Sequence, residues 1–271
     1  MTLSVLTSVY NGERYVREAI ESILAQTYRD FTFVIVDDGS TDRTRDILND
    51  LAKTDARIVV ITNPTNIGLT TSLNRALRQT QGIYIARMDA DDVALPDRFQ
   101  KQIDFLNSHS DIGMVGTAYE WIGENGVAMG RPNVLTEPHE LHRALIHTNP
   151  FLHGSIMIRK ELLDRVHGYN ELYKKAQDYD LWLRLSSHCR FANLPDVLMR
   201  KRMTRGMISY KNERAQIRFA VRARLSSLRR GDYPIWCIVY LVKPFFATCL
   251  PQKIVRLARI YLFEQKIYKH L

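Results

Sequence analysis

Residues 31–42 read Phe-Thr-Phe-Val-Ile-Val-Asp-Asp-Gly-Ser-Thr-Asp, and this stretch decides the fold. A run of β-branched and aromatic residues ends at two aspartates and a glycine, which is typical of a buried strand followed by a turn. Similar short apolar runs occur at residues 3–9, 58–62 and 83–86. Because these runs are nearly continuous instead of alternating with polar residues, we expect strands that are covered on both faces.

Between the predicted strands, apolar residues recur at spacings of three and four, the period of a helix with one buried face. Residues 16–24, 47–51 and 69–77 follow this spacing, and Ser40 is the predicted N-cap of the second helix. Strict alternation of strand and helix predicts an α/β fold in which helices flank a mostly parallel sheet. Ligands of such sheets bind beyond the carboxyl ends of the strands.

Composition narrows the classes of protein that need to be considered. The chain has 271 residues, of which 45% are hydrophobic and 25% charged, so it can bury a large core. Three cysteines without a Cys-x-x-Cys pair argue against a disulfide scaffold or a zinc ribbon and favour a reducing compartment. The residues after Met1 show no charged leader or cleavage site, so we expect a cytoplasmic protein.

The predicted strand ends carry carboxylates instead of a phosphate-binding glycine loop. Asp37 and Asp38 follow the second strand, and Asp89, Asp91 and Asp92 follow the fourth. The chain has neither the glycine fingerprint of dinucleotide folds nor a P-loop, which argues against dehydrogenases and P-loop NTPases. Since Mg²⁺ or Mn²⁺ is usually held by one or two carboxylates plus substrate phosphates, Asp89 and Asp91 are the predicted ligands of such an ion.

Several short motifs follow one another between Thr7 and Asp92. They are Thr7, Val9-Tyr10-Asn11, Val36-Asp37-Asp38-Gly39-Ser40-Thr41-Asp42, Asn66-x-Gly68, Asn74 and Arg87-Met88-Asp89-Ala90-Asp91-Asp92. In order and spacing they resemble the inverting family 2 glycosyltransferases, which have the A-type, Rossmann-like nucleotide-diphospho-sugar transferase fold. The resemblance implies a nucleoside-diphosphate-sugar donor, with a UDP-sugar expected, and an Asp-x-Asp motif at Asp89 and Asp91 that binds a divalent cation, Mn²⁺ or Mg²⁺. It also implies donor contacts from Thr7, Tyr10, Asp37, Asp38, Asn66, Arg87 and Asp89.

Residues 152–159, 168–171 and 177–184 resemble the acceptor-side segments of the same family. Because an inverting transfer is a single displacement, the protein must supply a base for the acceptor hydroxyl. The resemblance places this base at Asp178, although Gln177 stands where the family has a glutamate. Either burial or the loss of that second charge could set the pKa of Asp178. Asp180 is interpreted as a helix-start carboxylate that the helix dipole favours.

The resemblance also places three further residues on the acceptor or phosphate side: His153, Trp182 and Arg202. Thr204 stands where the family often has a histidine, so a phosphate contact from this segment would fall on Arg202 or Arg205.

Charge is distributed unevenly along the chain. Residues 200–271 contain 17 basic and 3 acidic residues, whereas the rest has 21 basic and 26 acidic residues. We therefore divide the chain into a nucleotide-sugar-binding half (1–107), an acceptor-binding and catalytic half of the same domain (108–199), and a helical, basic, amphipathic C-terminal extension (200–271). Residues 233–250 are interrupted by Lys243-Pro244, which favours a surface or re-entrant segment over a spanning helix.

Basic residues also alternate with apolar ones at 253–259, which predicts a helix that lies on anionic lipid. A helical pair that packs on the protein itself or on a dimer partner is the alternative. No nucleic-acid recognition motif accompanies the charge.

The sequence thus predicts a metal-dependent inverting glycosyltransferase, peripheral on the inner face of the cell membrane, that acts on a glycan or lipid-linked glycan in cell-surface polysaccharide or glycolipid synthesis. Two alternatives stay open at this point. One is a sugar-phosphate nucleotidyltransferase, although Asn11-Gly12-Glu13-Arg14 is a poor substitute for its glycine-rich loop. The other is a non-catalytic membrane-surface binding protein with a degenerate nucleotide site.

Overall fold

A computed structural model describes residues 2–204 and 213–249 of the chain. The strands are β1 (Leu3–Val9), β2 (Phe31–Asp37), β3 (Ile58–Thr62), β4 (Tyr84–Arg87), β5 (Val93–Ala94), β6 (Ile112–Ile122), β7 (Ala128–Gly130), β8 (Met157–Arg159) and β9 (Arg190–Arg202). The helices are α1 (Val16–Leu24), α2 (Thr44–Thr54), α3 (Leu69–Leu77), α4 (Arg98–Ser108), α5 (Pro138–Leu145), α6 (Lys160–Arg165), α7 (Gln177–Leu185), α8 (Glu213–Arg230) and α9 (Val239–Cys249). Short 3₁₀ turns cover His153–Ser155 and Ile235–Ile238.

Within these residues the strands form one mixed sheet in the order β3-β2-β1-β4-β8-β6-β9-β5, with β7 added beside β6. The first four strands are mutually parallel, as the alternation of strands and helices predicts. Strand β8 then runs antiparallel to both β4 and β6, while β6 and β9 are parallel. The predicted α/β fold is confirmed, and the second half adds antiparallel strands to the parallel core.

Alternate residues of the central strands face opposite sides of the sheet because side chains alternate along a strand. Val5 and Ile35 belong to a core shared with α1, α2 and α4, whereas Leu6 and Val36 belong to a core shared with α3 and α7. Both faces are therefore buried, which explains why the strands of this half read as continuous apolar runs.

The predicted N-cap at Ser40 is wrong. Helix α2 begins at Thr44, and Asp42 accepts a hydrogen bond from the Thr44 amide at 3.0 Å. The Ser40 hydroxyl instead accepts one from the Asn11 amide at 3.0 Å. Ser40 thus joins the loops that follow β1 and β2, which lie side by side at the carboxyl edge of the sheet.

One sheet runs through both predicted halves of the domain, and the boundary at 107/108 stays a prediction. Strand β9 continues through Arg202, so the sheet includes the first residues of the predicted C-terminal extension. Helices α8 and α9 follow and pack against each other, and α8 also packs on α7. No helix in residues 2–204 and 213–249 is both long and apolar enough to cross a bilayer. The predicted amphipathic segment at 253–259 lies outside the described residues.

Candidate active site

Three aspartates lie together in the loop between β4 and β5, at the carboxyl edge of the sheet. Asp89 and Asp91 are half-buried, and Asp92 is buried. Arg87, fully buried at the end of β4, places its Nη1 2.6 Å from Asp89 Oδ1. Burial by itself would raise the pKa of Asp89, but the nearby charges, Arg87 first among them, outweigh it and lower that pKa. Asp89 is therefore ionised at neutral pH.

The other two aspartates experience the opposite shift. Burial, followed by repulsion from Asp89, raises the pKa of Asp91 to about 6. The same two causes raise the pKa of Asp92 well above its ordinary value. Asp92 Oδ2 is buried and has no hydrogen-bond partner among the described residues. Two of the three carboxyl groups of this loop therefore ionise less readily than ordinary aspartates, because the surrounding protein does not fully offset their burial and mutual repulsion.

An Mg²⁺ or Mn²⁺ ion fits this cluster of carboxylates. The donors are carboxylate oxygens, which such ions prefer, and a cation would relieve both the repulsion between Asp89 and Asp91 and the unpartnered oxygen of Asp92. No group of three His, Cys, Asp or Glu in the described part of the chain is arranged to hold a metal alone. Two carboxylates suffice when phosphate oxygens complete the coordination shell.

Strand β9 supplies two basic residues behind this loop. Arg202 is buried, donates from its backbone amide to Asp92 Oδ1 at 2.9 Å and from Nε to the Asp91 carbonyl at 2.9 Å, and pairs with Glu18 at 2.6 Å. Its guanidinium is thus engaged in holding the acidic loop, and the predicted phosphate contact of Arg202 stays a prediction. The alternative, Arg205, lies outside the described residues.

Sequence reasoning missed Lys201, the residue before Arg202. Burial would lower the pKa of Lys201, but the charges of the three loop aspartates and of Tyr119 outweigh it and raise that pKa. Lys201 is therefore a cation beside the acidic loop. The prediction for Arg202 pointed to this segment of β9, but no sequence motif distinguishes Lys201 from the other basic residues of the strand.

Arg98 supports the acidic loop from inside the core. Its guanidinium is completely buried and donates from Nη2 to the Arg87 carbonyl at 2.8 Å and to the Ile156 carbonyl at 3.3 Å. From Nε it donates to Gln102 at 3.1 Å. The carbonyls that it joins belong to the end of β4 and to the segment just after Gly154, so Arg98 ties together two sides of the site.

The residues predicted to bind the donor follow β1 and β2, but several are engaged within the protein. Thr7 is buried and donates to the Met88 carbonyl at 2.8 Å, next to the acidic loop. Asp37 is buried and accepts from Arg45 Nε at 3.0 Å. Tyr10 and Asn66 are exposed at the same edge of the sheet. Donor contacts from these four residues stay predictions.

Asp38 holds the loop that follows β3. Its Oδ1 accepts from Asn63 Nδ2 at 2.8 Å and from the Ile67 amide at 2.9 Å, and its Oδ2 accepts from the Gly68 amide at 2.9 Å. Gly68 has φ of +93°, a conformation that favours glycine. Asp38 is buried, so this carboxylate shapes the donor side whether or not it touches a nucleotide.

Asp178, the predicted base, lies in the first turn of α7 and is half-buried. Burial, the largest cause, raises the pKa of Asp178 and answers the question that the sequence left open. Asn149 Nδ2 donates to Asp178 Oδ2 at 2.7 Å and opposes the shift. Asp180 is buried and pairs with Arg184 Nε at 2.8 Å, which is a structural role.

His153 and Tyr169 lie between the acidic loop and Asp178. His153 Nε2 is 2.8 Å from the Tyr169 hydroxyl, and the charges of both Asp89 and Asp178 act on Tyr169. Burial lowers the pKa of His153 to about 3, so this imidazole is neutral. Trp182 is fully buried and its ring packs edge-on against His153 with centroids 6.0 Å apart, so it supports the position of His153. The placement of Trp182 on the acceptor or phosphate side stays a prediction.

Comparison with known proteins agrees with this geometry. Residues 4–166 match the model of Glycosyl transferase family 2, which is more than half of the chain. The chain belongs to this family. A matched segment that begins in β1 and ends after α6 contains the acidic loop and the residues predicted to bind the donor. The assignment favours a glycosyltransferase over the two alternatives.

The similarity to individual members of the family extends beyond residues 4–166. EpsE of Bacillus subtilis is 34% identical over 259 residues, which cover 93% of this chain and 91% of EpsE. The amylovoran biosynthesis glycosyltransferase AmsE of Erwinia amylovora is 33% identical over 76% of this chain and 78% of its own.

Two solved structures share the fold. S. aureus TarS 1-349, in complex with UDP-GlcNAc, superposes with a TM-score of 0.73 over 90% of this chain and 72% of its own, at 21% identity. The mannosyltransferase PcManGT from Pyrobaculum calidifontis, in complex with GDP-Man and Mn²⁺, has a TM-score of 0.68 over 98% of this chain and 81% of its own, at 18% identity. These TM-scores show a common fold and confirm the predicted architecture.

Proposed function

We propose that this family 2 member transfers a sugar from a nucleoside-diphosphate-sugar to an acceptor hydroxyl, with inversion and with a divalent cation. The observation that carries the proposal is the proximity of two unlike carboxylate sites, since the charge of Asp89 acts on Asp178. The Asp89–Asp92 loop gathers three carboxylates, one of which has a buried oxygen without a partner among the described residues, and Asp178 is a single carboxylate whose pKa is raised by burial. Donor diphosphate and acceptor hydroxyl require these two kinds of site.

The donor side is supported by the acidic loop. Asp89 and Asp91 would hold Mn²⁺ or Mg²⁺, which would stabilise negative charge on the departing diphosphate. Lys201 adds a positive charge of the protein itself beside the same oxygens. The presence of UDP-GlcNAc in TarS, and of GDP-Man and Mn²⁺ in PcManGT, supports a donor of this class and is consistent with a UDP- or GDP-sugar.

Asp178 would take the proton of the acceptor hydroxyl as that oxygen attacks the sugar carbon. A carboxylate with its ordinary pKa is a weak base, and burial makes Asp178 a stronger one. Asn149 fixes Oδ2 of this carboxylate through its hydrogen bond. Because Gln177 replaces the family glutamate, Asp178 is the carboxylate on which the base assignment depends.

The acceptor is proposed to be a glycan or lipid-linked glycan of a surface polysaccharide. The support is the similarity to AmsE, whose name places it in amylovoran biosynthesis.

Thermal shift with UDP, GDP, dTDP, ADP and CMP, each with and without Mn²⁺, tests the donor assignment. A nucleotide at about one hundred times its Kd should stabilise the fold by about 2.7 kcal/mol. We expect a Mn²⁺-dependent shift with one nucleotide that Asp91→Ala abolishes and Asp97→Ala, an exposed carboxylate of the same segment, retains. Absence of any shift would contradict the proposal.

The base assignment needs a separate measurement, the release of nucleoside diphosphate in the presence of acceptor. Asp178→Asn should keep the Mn²⁺-dependent nucleotide shift and lose transfer. Normal turnover in Asp178→Asn would show that another group is the base.

A further inference from the structure

The helical hairpin at the end of the described chain exposes an apolar face. Seven large apolar residues within twelve positions have between 51% and 71% of their surface exposed. This apolar face consists of Ile235, Trp236, Ile238, Val239, Val242, Phe245 and Phe246. Single exposed apolar residues are ordinary, but a contiguous set marks a contact surface.

The spacing of these residues puts them on one side of the hairpin. Residues 235, 238 or 239, 242 and 245 or 246 recur every three or four positions, which is one helical face. The opposite side is packed against the protein, since Cys237 and Leu241 are buried in the main core. The exposed residues therefore face away from a hairpin whose opposite side is already packed against the main core.

The net positive charge of the helical hairpin limits what can cover its apolar face. Lys243 lies within the face and is exposed, and Arg218, Arg222 and Arg229 are exposed on α8. Residues 213–249 contain seven basic and two acidic residues, and one of those two, Asp232, is paired with Arg230 at 2.7 Å. A partner must therefore be apolar and carry negative charge.

A second copy of the chain would bring the same positive charge to the contact, and so would residues 250–271, which contain five basic residues and one acidic residue. An anionic bilayer surface meets both requirements, because its headgroups are negative and its acyl region accepts apolar side chains to a depth of about 5–10 Å. Trp side chains favour that interface, and a lysine there can extend its ammonium to the headgroups.

We propose that the apolar face of this hairpin binds the surface of an anionic membrane and so carries the acceptor side of the enzyme to lipid. Helix α8 joins the hairpin to α7, which bears Asp178: Arg224 Nε donates to the Tyr179 hydroxyl at 2.7 Å. The Tyr233 hydroxyl donates to the His142 carbonyl at 3.1 Å. The membrane contact stands on these observations alone, whereas the orientation of a lipid-linked acceptor toward Asp178 also rests on the proposed function.

Intrinsic fluorescence can report this contact directly. The chain has three tryptophans, and Trp121 and Trp182 are buried while Trp236 is 61% exposed. Vesicles of phosphatidylglycerol and phosphatidylcholine should shift the emission to shorter wavelength and protect it from iodide quenching, whereas phosphatidylcholine alone should not. Emission already protected without vesicles would overturn the proposal, since another part of the chain, or at high concentration a second copy, would then cover Trp236.

Matched variants of the full chain separate the apolar and electrostatic parts of the contact in vesicle co-sedimentation. Trp236→Ser/Phe246→Ser should weaken vesicle binding by at least about tenfold, because burial of each such side chain is worth that factor or more. Ile83→Ser/Val127→Ser, which removes two equally exposed apolar side chains elsewhere, should bind normally. Lys243→Glu should weaken binding more than Lys53→Glu, which changes net charge equally on α2.

Equal binding by Trp236→Ser/Phe246→Ser and the wild type would overturn the proposal, and so would equal binding to neutral and anionic vesicles. The Mn²⁺-dependent nucleotide shift is measured on every variant and shows that each is folded. Vesicle binding without any nucleotide shift in the wild type would refute the donor assignment while supporting the membrane contact. A nucleotide shift without vesicle binding would refute the membrane contact while supporting the donor assignment.

Discussion

Replacing Asp178 by asparagine should make the folded protein more stable at pH 8 while it abolishes transfer. Burial raises the pKa of this carboxyl in the folded state, so its ionised form is less favourable there than in the unfolded chain. The asparagine has nearly the same shape, and its amide oxygen can still accept the hydrogen bond from Asn149. Since removal of an unfavourable buried charge at a functional site commonly raises the free energy of unfolding by about 1 kcal/mol, we expect a rise in Tm of about 2 °C.

The pH dependence of this gain identifies its cause. The pKa of Asp178 is higher in the folded state, so its contribution to stability is fully present below the unfolded pKa of about 3.9 and is lost as pH rises through the folded value. The advantage of Asp178→Asn should therefore be absent near pH 4 and grow toward pH 8. Thermal and urea unfolding across this window measure it.

Asp180→Asn is the matched control, two residues further along α7. Asp180 is buried and ion-paired with Arg184, so its replacement leaves that guanidinium with a weaker partner and should cost about 2 kcal/mol. The two substitutions are chemically identical and opposite in predicted sign. A loss of stability in both variants, or a gain in Asp178→Asn that does not change with pH, would refute the reasoning.

Three further substitutions test the residues that support the acidic loop and the loop after β3. Gly154→Ala would put a Cβ 3.0 Å from Asp89 Oδ2 and 3.3 Å from Asp92 Oδ2. We therefore expect a nearly unchanged Tm but about tenfold weaker Mn²⁺ dependence of the nucleotide shift. In calorimetric titration this corresponds to a loss of about 1.4 kcal/mol of binding free energy. Arg98→Met removes the guanidinium donor of the Arg87 carbonyl and of Gln102 Oε1, whereas the Ile156 carbonyl keeps the Arg87 amide. It should cost about 3 kcal/mol in urea unfolding, which Arg98→Lys should partly restore. Asp38→Ala removes three hydrogen bonds and should cost about 3 kcal/mol in the same assay, whereas Asp97→Ala should be neutral.

The parallel half of the fold could be predicted because its signals are local. The continuous apolar runs of β1 and β2 and the helical spacing of α1 and α3 each occupy fewer than ten residues. Antiparallel β8, in contrast, is only three residues long, and its position between β4 and β6 depends on partners far away in the sequence. Long-range pairing of so short a strand leaves no pattern that a local interpretation can detect.

The site shows the same division at the level of side chains. Asp89 and Asp91 could be predicted as possible metal ligands because both lie in one short motif after a strand. The role of Arg202 could not, because its partners Glu18 and Asp92 are brought to it by β9 and the sheet. The burial of Trp182 could not be predicted for a related reason, since a tryptophan in a helical motif has the same sequence whether it faces an acceptor or the core.

Arg98 is the clearest example of a side chain whose role depends on partners that the fold brings to it. In the sequence it is one arginine at the start of a helix, where an exposed side chain is the ordinary expectation. In the structure it is fully buried, donates to carbonyls on both sides of the acidic loop, and contributes its positive charge to Asp89 and Asp92. An acidic loop that must collect negative charge for a cation needs a fixed positive charge behind it to remain folded without that cation. Motif residues therefore define what the site could bind, whereas buried residues outside the motifs determine whether the site persists.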